Sequence, residues 1–154
     1  MNKYLERANQ LVPELVENRR HFHRHPEVRN ELFETVKYVK AQLEDMGYQV
    51  QEICQCGLVV LAGGKKPGKC ILIRGDMDAL PMDEAPQNDK GPKQCVAQVS
   101  GAAHTCGHDA HTAILLGAVR ALCGMREKLV GKLYFVFEEA EETGGVADIM
   151  EQYF

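Results

Sequence analysis

Two short apolar runs that end in carboxylates constrain this chain most. Cys70–Arg74 reads C-I-L-I-R and passes at once into G-D-M-D-A-L-P. Gly131–Phe137 is the second such run, and E-E-A-E-E follows it. A continuous apolar run of this length suits a strand buried on both faces, the habit of parallel sheets covered by helices. In open α/β sheets ligands bind beyond the carboxyl ends of the strands. Asp76 and Asp78 occupy that position after the first run, and Glu138, Glu139, Glu141 and Glu142 after the second. Turn capping accounts for each aspartate taken alone. Four clustered glutamates would repel one another, and a cation would relieve that repulsion.

The rest of the chain supplies the other layers. Leu5, Ala8, Leu11, Val12, Leu15 and Val16 recur at helical spacing, so a helix is expected from about Lys3 to His23, kinked or restarted near Pro13. Leu32, Val36, Val39, Leu43 and Met46 mark a second helix closed by Gly47. Tyr48–Ile53 and Leu58–Ala62 read as a strand pair, and Ala110–Met125 as a third helix. Asp83–Ser100 is a polar excursion without a clear period. The order helix, helix, three strands, helix, strand predicts an α/β fold with a mixed, mostly parallel sheet and helices on both faces. The Gly63–Gly68 turn matches no phosphate-loop spacing.

Between these elements lies H-T-C-G-H-D-A-H-T, His104–Thr112, with one thiol, three imidazoles and one carboxylate. Cys106 and His108 have the chemistry of metal ligands, and Gly107 between them allows the bend that makes them converge. A buried free cysteine with turn-capping histidines would give the same letters. Asp109 suits the start of the helix that follows. The second histidine tract, R-R-H-F-H-R-H-P-E at Arg19–Glu27, reads as a helix end in which His23 and His25 bond last-turn carbonyls, with metal binding the weaker alternative. Convergence of Asp76/Asp78, Cys106/His108 and Glu141/Glu142 along one sheet edge is the argument for a metal centre.

With 154 residues, 45% of them hydrophobic, the chain fits one globular domain. A net charge of −4 and no basic patch argue against nucleic acid, and no apolar run suggests a membrane span. The N-terminus lacks a signal-peptide core, so the expected setting is cytoplasmic, with the six cysteines reduced.

These four blocks, Arg19–Glu27, Arg74–Pro81, His104–Thr112 and Phe137–Glu142, resemble those of the metal-dependent amidohydrolases of the aminoacylase/carboxypeptidase group (peptidase family M20). The branch is the one that holds hippurate hydrolase, N-acyl-amino-acid amidohydrolases and indole-acetyl-amino-acid hydrolases. The resemblance implies a zinc-exopeptidase-like catalytic domain holding a divalent metal, two ions of zinc or manganese, with cobalt or nickel as alternatives. Cys106, His108 and Glu142 would be ligands, with Cys106 bridging. Glu141 would be the general base and Asp78 a supporting carboxylate. The substrate would be a small N-acyl amino acid or similar conjugate, and full-length relatives would form homo-oligomers. Residues 1–154 would be the N-terminal part of the catalytic domain, with the lid or dimerisation domain and the C-terminal part, including two further histidine ligands, absent. Such a fragment is expected to have little activity alone. Glu138-Glu139 replaces the family's usual Gln-Pro, and the added charge is expected to raise nearby carboxylate pKa values. A nonenzymatic metal-binding module, or a remnant of the same fold without metal, are the alternative readings.

Overall fold

A computed structural model of the chain describes residues 2–63 and 65–144. Residues 145–154, which the expected domain also includes, lie outside them.

The first helix, α1 (Lys3–Arg24), runs through Pro13 as one element. Its buried residues are Leu11, Asn18, Phe22 and His23, whereas Leu5, Val12 and Val16 of the expected stripe stay exposed. The difference arises because α1 packs chiefly on another helix and not on the sheet. α2 (Phe33–Asp45) follows the expected pattern, with Leu32, Val39 and Leu43 fully buried. Leu32 precedes the helix and has no capping side chain. The Glu27 carboxylate takes that role, accepting the N–H groups of Glu34 and Thr35 at 3.2 and 2.7 Å.

β1 (Gln51–Ile53) and β2 (Gly57–Gly63) form a hairpin. β3 (Cys70–Asp76) leads into the extended Met77–Leu80, and β4 (Gln87–Asn88) with β5 (Gly91–Pro92) makes a small separate ribbon. α3 (His108–Cys123) and β6 (Lys132–Glu138) complete the framework. The sheet order is β1-β2-β6-β3. The expected mixed sheet is present, but among the described residues only β3 and β6 pair in parallel. A short turn between β1 and β2 permits only antiparallel pairing.

Alternation along β2 and β6 separates two faces. Leu58, Val60, Phe135 and Phe137 join α2 and α3 in the main core. Val59 and Val136 join Ile53 and Ala140 on the other side. Helices on both faces were expected. The described helices all belong to one face, because α1 stacks outside α3 instead of crossing the sheet. Leu15 of α1 approaches so closely that a Cβ on Gly117 of α3 would lie 2.7 Å from its Cδ1.

β6 is the buried central strand. β3, expected to be buried too, is an edge strand in which Ile71, Leu72 and Ile73 are 55%, 44% and 39% exposed. Among the described residues only β6 flanks it, and Gly75, at its C-terminal end, is where α3 lies close. The Asp83–Ser100 excursion is tied down by its first two carboxylates. Asp83 accepts from Ser100 Oγ and the Gly101 N–H, and Glu84 from Lys93 Nζ and the Ala97 N–H.

Candidate metal centre

β3 and β6 pair in parallel from Cys70↔Lys132 to Asp76↔Glu138. Their carboxyl ends therefore emerge side by side, and the N-terminus of α3 meets them there. Gly107 precedes α3 with φ 123°, a conformation that side-chain-bearing residues avoid, and it turns the chain between Cys106 and His108. α3 begins at His108, two residues earlier than expected, so this ligand candidate stands on the first helical turn.

At the end of β6 the chain reverses through Ala140, held in the left-handed region at φ 53°. The turn separates two pairs of glutamates. Glu138 pairs with Arg74, and Glu139 is buried against the backbone N–H groups of Cys56 and Gln55. The expected four-carboxylate cluster is thus two. Partners elsewhere in the fold engage Glu138 and Glu139, and of the four only Glu141 and Glu142 turn into the centre. Of the expected rise in carboxylate pKa, the one seen nearby is on Glu139, caused first by burial and only last by the Asp78 charge.

Asp78 organises the turn. Its side chain is fully buried, and its two oxygens each accept an N–H, from Glu141 and from Glu142, both at 3.1 Å. Its backbone carbonyl accepts from His108 Nδ1 at 2.8 Å. That bond leaves His108 Nε2 facing inward, where Asp76 Oδ1 lies 3.6 Å away and the Glu141 and Glu142 carboxylates each 3.7 Å. Such separations are long for hydrogen bonds. They match roughly 3.4 Å, the spacing of two atoms that share a tetrahedral ion through bonds of about 2.0–2.1 Å.

Ligand atoms of Cys106, His108 and Glu142 lie within 4.8 Å of one another, and so do those of Asp76, His108 and His111. Among the described residues Glu142 Oε1 is buried without a hydrogen-bond partner. An orphaned carboxylate oxygen beside an imidazole nitrogen and a thiol is the donor set of a divalent ion of the zinc type. The electrostatics point the same way. Burial alone would lower the pKa of His108, but the Asp78 hydrogen bond and the Asp76 charge raise it to about 9. Glu142, as hydrogen-bond acceptor, and then burial raise the Cys106 thiol.

The sequence placed Cys106, His108, Glu141, Glu142, Asp76 and Asp78 together, and the structure gathers all six. Asp76 does more than cap a turn: its Oδ1 accepts from His111 Nδ1 at 2.6 Å. His23 is the main difference. It does not bond last-turn carbonyls but is buried between Asp109 Oδ2 (2.7 Å) and Glu84 Oε1 (3.1 Å). Those partners lie 86 and 61 positions away, so no local signal exposes them. His104 is also buried, and burial lowers its pKa to about 4.

Residues 72–154 match the profile of peptidase family M20/M25/M40. An N-acetyl-L-cysteine deacetylase of Bacillus subtilis is 36% identical over 143 residues, covering 92% of this chain and 33% of the relative. An N-acyl-L-amino acid amidohydrolase of Geobacillus stearothermophilus is 31% identical over 94% of this chain and 38% of its own length. An IAA-amino acid hydrolase of Arabidopsis thaliana reaches 40% identity over 93% and 31%. A solved dinuclear metal-binding peptidase from Bacillus subtilis superposes with a TM-score of 0.81 at 32% identity, over 93% of this chain and 40% of that one. The chain spans about a third of the length of these curated relatives.

Proposed function

The chain belongs to peptidase family M20/M25/M40, and on that premise we propose that its centre serves metal-dependent hydrolysis of the amide bond in N-acyl amino acids or similar small conjugates. The observation that carries the proposal is the meeting of Cys106, His108 and Glu142 within 4.8 Å, with Glu142 Oε1 buried and unpartnered among the described residues. Relatives named for deacylation of N-acyl amino acids support the substrate class.

In this reading Cys106, His108 and Glu142 would hold a divalent cation, zinc or manganese, and the finished centre would take two such ions. When bound, such an ion polarises the amide carbonyl and lowers the pKa of an attacking water. Glu141 stands beside the proposed ligands with its side chain 39% exposed, open to solvent. It takes the proton from water and returns it to the departing amine. Asp78 fixes Glu141 and Glu142 by their backbone N–H groups and His108 through its own carbonyl, so base and ligands keep one geometry. The exposed Cys106 and half-exposed Glu141 make an open centre, unlike the closed four-ligand sites of structural zinc.

We further propose that residues 1–154 form the N-terminal part of such a catalytic domain, that the working protein is a homo-oligomer, and that it acts in the reducing cytoplasm. Among the described residues no helix is long and apolar enough to cross a membrane. Metal analysis of the purified chain with an assay on hippurate and N-acetyl amino acids tests the function. Retained metal supports it. A chain that binds no divalent ion overturns it.

A further inference from the structure

We propose that His23, on α1, is a positioning residue for His108: its imidazole, held between Asp109 and Glu84, fixes the ligand-bearing turn of α3. The proposal rests on the metal reading of His108, and its first readout needs no metal.

Asp109 follows His108 directly. Its Oδ1 accepts the Ala110 N–H at 2.8 Å. Its Oδ2 accepts from His23 Nδ1 at 2.7 Å and from Arg19 Nε at 2.8 Å. Both oxygens are committed, one to the helix and one to α1. The first turn of α3 cannot rotate without breaking one of these bonds. His108 opens that turn, and its ring is held from the opposite side by the Asp78 carbonyl. Thr112, one turn on, donates to the carbonyls of both Asp76 and His108. The imidazole is therefore gripped between two anchors, of which Asp109 is the one without a place in the metal centre.

The far side of His23 is equally occupied. Nε2 lies 3.1 Å from Glu84 Oε1, and Glu84 also accepts from Lys93 Nζ at 2.9 Å and the Ala97 N–H at 2.6 Å. Both ring nitrogens of His23 therefore lie within hydrogen-bond distance of a buried carboxylate oxygen. Arg19 Nη2 stands 3.1 Å from Nδ1, beside the Asp109 carboxylate that its own Nε serves. Arg19, Asp109, His23, Glu84 and Lys93 form one continuous line of polar contacts. The three central side chains are 2–6% exposed, so these contacts are little screened by solvent. Removing the His23 ring breaks the link from Asp109 to the excursion and leaves Arg19, 40% exposed, as the one α1 partner of Asp109 Oδ2 among the described residues. The excursion 83–100 is linked in this way to the orientation of a ligand it does not touch.

The test uses the 154-residue chain, first without metal. In His23→Gln, the His108 Nδ1 proton is expected to exchange with solvent about 10-fold faster than in the wild type. Titration with cobalt(II) is expected to show affinity about 10- to 100-fold weaker, the usual effect of losing a group that orients a ligand. A folded His23→Gln with unchanged His108 exchange and cobalt affinity overturns the proposal, since a purely structural histidine lowers the melting temperature alone. Should His23→Gln not fold, Glu84→Gln, which keeps the shape and removes one charge, takes its place with the same direction expected and the same refutation. A wild type that binds no cobalt would sink the metal reading, and the exchange of His108 would still decide the clamp.

Discussion

On the proposed ligand set protons and metal would compete for the same atoms of His108 and Cys106, and the competition has a calculable size. His108 carries a proton up to a pKa of about 9 in the metal-free chain, and the Cys106 thiol is raised above its ordinary value. An ion that uses both must displace both protons. At pH 7 His108 alone lies about two units below its pKa, a penalty of about 2.7 kcal/mol or roughly 100-fold in affinity. Releasing two protons makes the apparent association constant climb about 100-fold per pH unit between pH 6 and 8, and releasing one makes it climb about 10-fold. Cobalt(II) titrations followed by calorimetry, in non-coordinating buffers across that range, measure the slope in the wild type and in variants alike. Cys106→Ser removes one of the two protons and is expected to halve the slope on a logarithmic scale. An affinity independent of pH would refute the argument, because it would mean that neither His108 nor Cys106 is a ligand.

Three further outcomes follow from the geometry. Glu142→Gln is expected to abolish retained metal, whereas Glu141→Gln keeps it and removes catalysis when the complete centre is assayed; equal metal loss in both would contradict the division of roles. Asp78→Ala removes the acceptor of two backbone N–H groups in a fully buried position, and a loss of about 3 kcal/mol in urea unfolding is expected, against no loss if the turn is held otherwise. His104 has a folded pKa of about 4, below the 6.5 of the unfolded chain, so acid favours unfolding. Stability should fall by up to about 3 kcal/mol as pH drops from 6.5 to 4, and His104→Gln should flatten that part of the profile; an unchanged profile would mean that His104 does not stay neutral on folding.

Much of the centre was legible because its residues come in short blocks. Asp76 and Asp78, Cys106 and His108, and Glu141 and Glu142 each stand at the end of an apolar run or the start of a helical one. Parallel pairing of β3 with β6 then brings the blocks together without further instruction. Sequence could not show which glutamates face inward. That depends on the left-handed Ala140 and on Arg74 and two backbone N–H groups elsewhere in the fold. Nor could it show His23 meeting Asp109 and Glu84, because the contact needs α1, α3 and the excursion loop already assembled. The apolar letters of β3 promised burial. Its edge position leaves Ile71, Leu72 and Ile73 exposed among the described residues, since period and composition report what a strand prefers to touch and not whether a neighbour is there. For α1 the helical period held, yet most of its stripe was solvated because a helix stacked on another helix buries a narrower band than one laid on a sheet.

X-ray absorption at the edge of the metal carried by the purified chain tests the central claim most directly. The account predicts a shell with one sulfur at about 2.3 Å and nitrogen or oxygen at about 2.0–2.2 Å, the sulfur vanishing in Cys106→Ser and the metal itself in Glu142→Gln. A shell free of sulfur, or one unchanged by both substitutions, would contradict it.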